Sequence, residues 1–545
     1  MPSAYHNSLA RSRERSGKPS GRSRFPQAQF RLSRRALRWT LGAATLALAA
    51  CGGGAQYAGE LGTIDNFKAG VVADEPRAAL VARGLLAAGG NAADAAAGAY
   101  FAMSATLPSA AGLGGGGICL VHDADKQTTE VFDFLPRASA GGVVALPGNV
   151  RGMAALNARH GKLPWAQLVS PAETLAGAGT ATSRALAADL AASGDRLLED
   201  PQLAAIFTRP DGSLLKETDN LRQVDLGAAL AQIRARGVNE LYGGILAQKL
   251  VESATAIGAP LTIDELRAYK VLIYAPLEQK LGDQTVYLAM PPASGGVLTA
   301  QMLTALDDGN ATDPAFLAKA TQALMQDRAA SMKPNGDPIQ PADQLIAEQH
   351  VAGALSVTAA GAAPVPENSS AATVVAVDDD GLGVACAFTM NAPFGAARMA
   401  PGTGIILAPA PDDRGNGFSA LSPLILANKN NGNLYYLSAA SGGAPGAIAE
   451  ALVLDGVARG KLNLEQAMQR VRVFADGSGA AYVEESGGAG ALGALQAAGH
   501  QVQASGPLGR VNAIFCPGDT PHHPDTCQLR NDYRGAGLSS ILSSD

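Results

Sequence analysis

The pattern of apolar and polar positions changes most sharply between residues 372 and 390. Ala372–Val377 is an apolar run rich in β-branched residues, Asp378-Asp379-Asp380-Gly381 interrupts it, and Leu382–Met390 is apolar again. Two such runs joined by a tight Asp-Gly turn predict a β-hairpin. Upstream, Val71–Thr106 reads as strand, helix, helix. Pro76 stands near the start of a helix over Glu75–Ala88, Gly89-Gly90 ends it, and Asn91 caps a second, Ala-rich helix. Pro108–Gly117 is a glycine loop feeding a strand at Ile118–His122. It lacks the Lys-Ser/Thr and the strand–loop–helix context of a phosphate loop, so close backbone approach or unusual φ is expected. Thr182–Ser193, Leu226–Ala235 and Asn239–Thr255 show helical amphipathic spacing and read as scaffold. Pro334–Pro366, polar and Pro/Gly/Ala-rich, predicts a loop or linker just before the hairpin.

With 545 residues, 47% of them hydrophobic, the chain can bury a large core in one big or two ordinary domains. A net charge of −6 argues against a nucleic-acid partner. Residues 1–38 are rich in Arg, Ser and Pro, and Trp39–Ala50 is an apolar stretch too short to span a bilayer. It ends in Leu48-Ala49-Ala50-Cys51, which resembles a bacterial lipobox, and Ser33-Arg34-Arg35-Ala36-Leu37 resembles a twin-arginine signal. The expectation is that residues 1–50 are a signal peptide with a basic extension, that Cys51 carries the lipid, and that 51–65 is a linker. Anchored by acyl chains alone, the protein would then face the periplasm of a Gram-negative cell envelope.

In an oxidising periplasm Cys516 and Cys527, which bracket a turn-rich loop, are expected to form a disulfide. His522, His523 and Asp525 in the same loop leave a metal site as the alternative, although no zinc spacing is present. Cys119 and Cys386 sit in apolar runs and read as buried thiols. No metal or organic cofactor is implied.

Several long motifs, in order, carry a resemblance. They are Gly89–Leu120 (GGNAADAAAGAYFAMSATLPSAAGLGGGGICL), Leu146–Ala172, the segment LTIDELRAYK, Ala289–Leu303, the hairpin, RVNAIFCP and the tail DYRGAG. Together they closely resemble the γ-glutamyltranspeptidase family across nearly all of the chain after residue 65. That resemblance implies the α+β, αββα sandwich of N-terminal-nucleophile hydrolases, two stacked antiparallel sheets flanked by helices. Residues 66–545 would form the family domain, with 66–370 like its large subunit and 371–545 like its small one.

The reaction implied by the resemblance needs a hydroxyl nucleophile freed as a new N-terminus by self-cleavage, an oxyanion hole and contacts for the donor's α-amine and α-carboxylate. In an ungapped frame anchored at Asp378, the nucleophile position is Ala371, which has no oxygen. The next two family positions fall on Ala372 and Thr373. Thr373 shares a strand face with Ala371 and Ser369, whereas Ser370 is expected to point away. Thr373 would lie roughly 6.6 Å along the strand from the required place, far outside attack geometry. Thr389 matches a second hydroxyl, Asn391 an amine- or carboxylate-binding asparagine, Asp413 the aspartate that holds the donor's amine, Ser419 one of a serine pair, and Gly442-Gly443 the oxyanion donors. The family's polar Asn-Asn-Glu/Gln has become Ala408-Pro409-Ala410, and the second serine is Ala420. The carboxylate-clamping arginine falls on Leu135, with Arg137 two residues on beyond Pro136.

Two readings follow. The first is a catalytically impaired or inactive, uncleaved envelope lipoprotein that binds a small γ-glutamyl or amino-acid-like ligand, or a protein partner, in the relict cleft. The second is an active γ-glutamyl transferase or hydrolase acting on glutathione-like γ-glutamyl amides through a displaced Thr373 or nearby serine.

Overall fold

The hairpin forms as expected: β7 (Ala372–Asp378) and β8 (Leu382–Thr389) pair antiparallel, and Gly381 takes the positive φ that the turn needs. Their neighbours are β1 (Phe67–Ala73), β2 (Gly116–Asp123), β3 (Thr128–Phe134), β4 (Leu272–Tyr274) and, near the C-terminus, β13 (Leu538–Ser543). These build a seven-stranded sheet in the order β13-β1-β7-β8-β2-β3-β4. A six-stranded sheet combines β5 (Leu277–Leu281), β6 (Gln284–Leu288), β9 (Ser422–Ala427), β10 (Leu434–Ser441), β11 (Arg510–Thr520) and β12 (Gln528–Arg530), in the order β12-β11-β10-β9-β6-β5. These are features of a computed structural model that describes residues 63–333, 335–357, 370–411 and 420–544. Residues 1–50, Cys51, Ser369, Asp413 and Ser419 lie outside the described residues. The described residues all belong to one compact unit.

Strand alternation assigns each apolar face to a layer. Val72, Val375, Val377, Ala385 and Ala387 meet Ile425, Leu437, Ala439 and Ile514 between the sheets. Val71, Val374, Ala376 and Val384 face outward to the helices Pro76–Ala87, Ala92–Thr106 and Trp165–Ala178. On the far side Leu424, Leu426 and Tyr436 pack under the helices Gly295–Ala305 and Ala444–Ala458. The result is the αββα sandwich.

Local chemistry sets the helix ends where expected. Glu75 accepts the Ala78 N–H, and Asn91 with Asp94 closes a capping box on Ala92–Thr106. That helix is buried on all sides, which its alanines and Gly98 permit, since a Cβ at Gly98 would strike Leu85. The glycine loop is a packing device: a Cβ on Gly115 would lie 2.2 Å from the Thr389 carbonyl oxygen.

Three expectations need correction. Cys119 and Cys386 are not thiols but a disulfide, because β2 and β8 pair in a register that sets them directly opposite. The helix expected over Asn239–Thr255 is broken into a 3-10 turn, Val238–Leu241, and a helix, Ile245–Ala256; Gly243-Gly244 interrupts it and the Glu240 carboxylate accepts the Leu246 N–H. The expected loop upstream of the hairpin contains the short helices Ala342–Leu345 and Glu348–Ser356. The Cys516–Cys527 disulfide forms as expected.

Candidate functional site

Ala371 stands just before the first residue of β7 and lines a cavity of about 330 Å³ at the edge of the two sheets. Ser109, Asp189, Ser193, Ser370, Ser441, Gly442 and Arg510 share its wall. Only a methyl group projects from position 371, so the place that the resemblance gives to a nucleophile holds no heteroatom.

Thr373 is on the same strand face, as expected, but that face opens onto the opposing sheet. It is 1% exposed and does not line the cavity. Its hydroxyl donates to Asp74 Oδ2 at 3.1 Å and accepts from Asn512 Nδ2 at 2.8 Å, while its own N–H donates to the same Asp74 oxygen at 2.8 Å. Asn512 also donates to Asp74 Oδ1 at 2.9 Å. This closed network cross-braces β7, β11 and the end of β1.

Ser370 departs from the expectation that it points away. Strand alternation starts only at Ala372, so it does not govern Ser370, which lines the same cavity as Ala371 and whose hydroxyl donates to the Ser109 carbonyl at 2.9 Å. Thr389, matched to the second hydroxyl, is buried and donates to the Ser370 carbonyl at 2.6 Å while accepting the Asn391 N–H at 3.0 Å. It therefore fixes the backbone leading into Ala371 rather than presenting a hydroxyl to a ligand.

Gly442 and Gly443 sit between β10 and the Ala444–Ala458 helix with φ of +102° and +72°. Non-glycine residues rarely adopt such values. The backbone is also crowded: a Cβ on Gly442 would lie 2.9 Å from Gly509 Cα, and one on Gly509 would lie 2.6 Å from Gly446 Cα. Those three glycines let the start of β11 press against the turn, so that Arg510 Nε donates to Ser441 Oγ at 3.1 Å. The tail motif supports this edge, with Asp532 paired to Arg472 and Arg534, and Arg534 also to Glu484. Asp532 also accepts the Val511 N–H at 3.0 Å.

The other matched positions gather in a neighbouring cavity of about 370 Å³, lined by Asp133, Leu135, Pro136, Arg137, Asn391 and Pro411. Leu135, at the arginine position, is buried and contributes an apolar wall. Arg137 does enter this cavity, but its guanidinium donates to Asp133 Oδ1 at 3.0 Å and to the Lys270 carbonyl at 3.1 Å. Burial pushes the Asp133 carboxyl up, against the pull of Arg137. Asn391, at φ +60°, turns its amide onto the Pro409 carbonyl at 3.1 Å. The Ala408-Pro409-Ala410 segment is held through its backbone, Ala408 accepting from Ala145 and Ala410 donating to Val143. So Gly442 lines one cavity and Arg137 and Asn391 the other, and Thr389, Arg137 and Asn391 each donate side-chain hydrogen bonds to the protein itself.

Sequence reading did not single out Ser109, Asp189, Ser441 or Arg510. Asp189 carried one signal, an acidic residue within the expected amphipathic helix, and the structure turns it inward so that its Oδ2 accepts the Ser109 hydroxyl at 2.5 Å. Among the described residues no cluster of three or more His, Cys, Asp or Glu side chains could hold a metal ion.

The sequence profile described as Gamma-glutamyltranspeptidase matches residues 78–541. The Glutathione hydrolase proenzyme of Escherichia coli (strain K12) is 28% identical over 392 residues, covering 64% of this chain and 67% of the relative. The Acylase ACY 1 proenzyme of Pseudomonas sp. (strain V22) is 29% identical over 513 residues, 83% of this chain and 90% of the relative. The crystal structure of cephalosporin acylase from Bacillus halodurans superposes with a TM-score of 0.77 at 20% identity, over 91% of this chain and 100% of that one.

Proposed function

The chain belongs to the gamma-glutamyltranspeptidase family, and from that premise we propose that it is an uncleaved, non-catalytic member that binds a ligand or partner in the relict cleft. One observation carries the reading: the nucleophile position, Ala371, lines the cavity with no more than a methyl group, and the threonine two residues on, Thr373, is enclosed by Asp74 and Asn512. Self-cleavage and acyl transfer in this family both start from a hydroxyl at one place, and misplacement by even about 1 Å is costly to such chemistry. The pairing of Arg137 with the buried Asp133 and the apolar Leu135 support it, because the residue at the donor-carboxylate position carries no guanidinium and the nearby one is already engaged by Asp133.

Intact-mass measurement of the purified protein tests this. A single uncut chain is expected. Two fragments would overturn the reading, and the first residue of the smaller would name the nucleophile.

A second reading rests on Ser370, which lines the cavity with Gly442. Cleavage before Ser370 would free an N-terminal serine one residue upstream of the family position and make the protein an active γ-glutamyl transferase or hydrolase. A fragment beginning at Ser370, with release of amine from γ-glutamyl amides that Ser370→Ala abolishes, would establish it.

The proposal extends to location. Cys51 would be the lipidated residue of a protein facing the periplasm, supported by the Leu48–Cys51 motif. Among the described residues no helix is long and apolar enough to cross a membrane. Cys51→Ser is expected to move the protein from the membrane fraction to the soluble one.

A further inference from the structure

Residues 307–313 form a loop between the helices Gly295–Ala305 and Pro314–Ser331, and none of them lines either cavity described above. The two ends of this loop are tied down. Asp307 pairs with Arg459, and Asp313 caps the second helix by accepting the Ala315 N–H at 3.0 Å. Gly309 lies against Phe316, where a Cβ would strike the ring. Asp308, Asn310 and Thr312 are exposed. Asn310 Oδ1 accepts both the Thr312 N–H at 2.9 Å and the Thr312 hydroxyl at 2.8 Å, whereas Asn310 Nδ2 has no acceptor among the described residues.

We propose that Asn310 is an acceptor for N-linked glycosylation, its Nδ2 taking an oligosaccharide from a polyprenyl diphosphate carrier. Asn310-Ala311-Thr312 is an Asn-X-Thr triplet in which X is not proline. A transferase acting on such a triplet must reach the amide nitrogen and read the hydroxyl two residues on. The turn at 310–312 already holds those two groups side by side, on an exposed loop with anchored ends. In the transfer, the bond from the sugar's anomeric carbon to Nδ2 forms and that carbon's bond to the diphosphate oxygen breaks. The diphosphate leaves on its lipid with the bonding electron pair, and Nδ2 gives one proton to a base of the transferase. No oxidant or reductant enters. Asp308, two positions before the acceptor, adds an exposed carboxylate for a cationic group of the transferase to hold. The chain's other such triplet, Asn368-Ser369-Ser370, has Pro366 at the corresponding place. A glycan on Asn310 would leave both cavities open. The inference rests on the reading that the chain is exported, because this modification belongs to secreted surfaces.

The full-length chain is expressed in a bacterial host that carries an oligosaccharide transferase and an oligosaccharide on polyprenyl diphosphate, and in the same host without the transferase. Each expression is run with residues 1–50 native and with a general secretory signal peptide in their place. Intact mass and peptide mapping are the readouts. A gain of one oligosaccharide mass, dependent on the transferase and mapped to Asn310, is expected. Asn310→Gln and Thr312→Val should lose it entirely, and Thr312→Ser, which keeps the hydroxyl, should retain it. The melting temperature of each variant reports whether it is folded. If Asn310→Gln unfolds the chain, the contrast between Thr312→Val and Thr312→Ser decides instead. A gain unchanged by Asn310→Gln, a gain mapped to Asn368 alone, or no gain with either leader overturns the assignment. A gain seen only with the replacement leader supports the assignment while sinking the reading that residues 1–50 export the chain.

Discussion

Thr373 and Asp74 are joined by three hydrogen bonds: the threonine hydroxyl at 3.1 Å and its backbone N–H at 2.8 Å both donate to Asp74 Oδ2, and the Asp74 N–H donates to the Thr373 carbonyl at 3.2 Å. Both residues are buried. Thr373→Val keeps the shape and removes the hydroxyl, leaving Asp74 and Asn512 each short of a partner. A loss of about 1–3 kcal/mol in unfolding free energy is expected in denaturant titration, with the intact mass unchanged. If the variant were fully stable but altered the processing of the chain, Thr373 would be a chemical rather than a structural residue.

The Cys119–Cys386 disulfide joins a strand upstream of residue 370 to one downstream of it. The Cys516–Cys527 bridge lies wholly downstream. A chain cut between Val357 and Ser370 would therefore stay covalently joined. Insertion of a specific protease site in that interval and complete digestion should give one band without reductant and two with it. Replacing both cysteines, Cys119→Ala with Cys386→Ala, should separate the halves under either condition in denaturant and cost about 2–5 kcal/mol in stability.

Glu450 is enclosed beneath the six-stranded sheet, where its carboxylate accepts from Ser438 at 2.7 Å and from Ser422. Burial pushes its carboxyl up to about 8, against those hydrogen bonds. Asp378, buried under the N-terminus of Ala92–Thr106, is pushed up to about 6 by the same cause. In the unfolded chain both ionise in the ordinary carboxylate range, near pH 4. The folded state thus binds more protons above that range, and stability is full below it and falls as pH rises through 6 and then 8. The melting temperature is expected to drop as pH rises from about 4 and to level off above about 8. Asp378→Asn should remove the part of the drop that ends near pH 6, and Glu450→Gln the part that continues to near pH 8.

Gly509→Ala should act on the cavity without touching a ligand. Its φ of +77° is strained for alanine, and the added Cβ would lie 2.6 Å from Gly446 Cα. Backbone must shift, so a loss of about 1–3 kcal/mol is expected. The Arg510–Ser441 contact should loosen with it, and denaturant titration reads the loss. Unchanged stability would show that the three-glycine contact is not as tight as its geometry implies.

Much of this protein could be read in one dimension. The hairpin at 372–389, the Glu75 and Asn91 caps and the glycine loop are decided by residues within a few positions of each other. Ordered motifs extended that reading to the fold, and the missing hydroxyl at Ala371 is a fact of composition that no packing alters. What the chain could not declare are the relationships set by register and by the opposing sheet. Cys119 and Cys386 are 267 residues apart and bond only because β2 and β8 align them. Thr373 lies on the expected face, but Asn512, on the other sheet, makes that face a closed interior. Ser370 enters the cavity because the strand begins two residues later. Arg510 and Asp189 meet at one wall only when the end of a helix and the start of β11 are folded together. Alternation along a strand specifies which way a side chain points; what it points at is supplied by segments hundreds of residues away, through packing that no local pattern encodes.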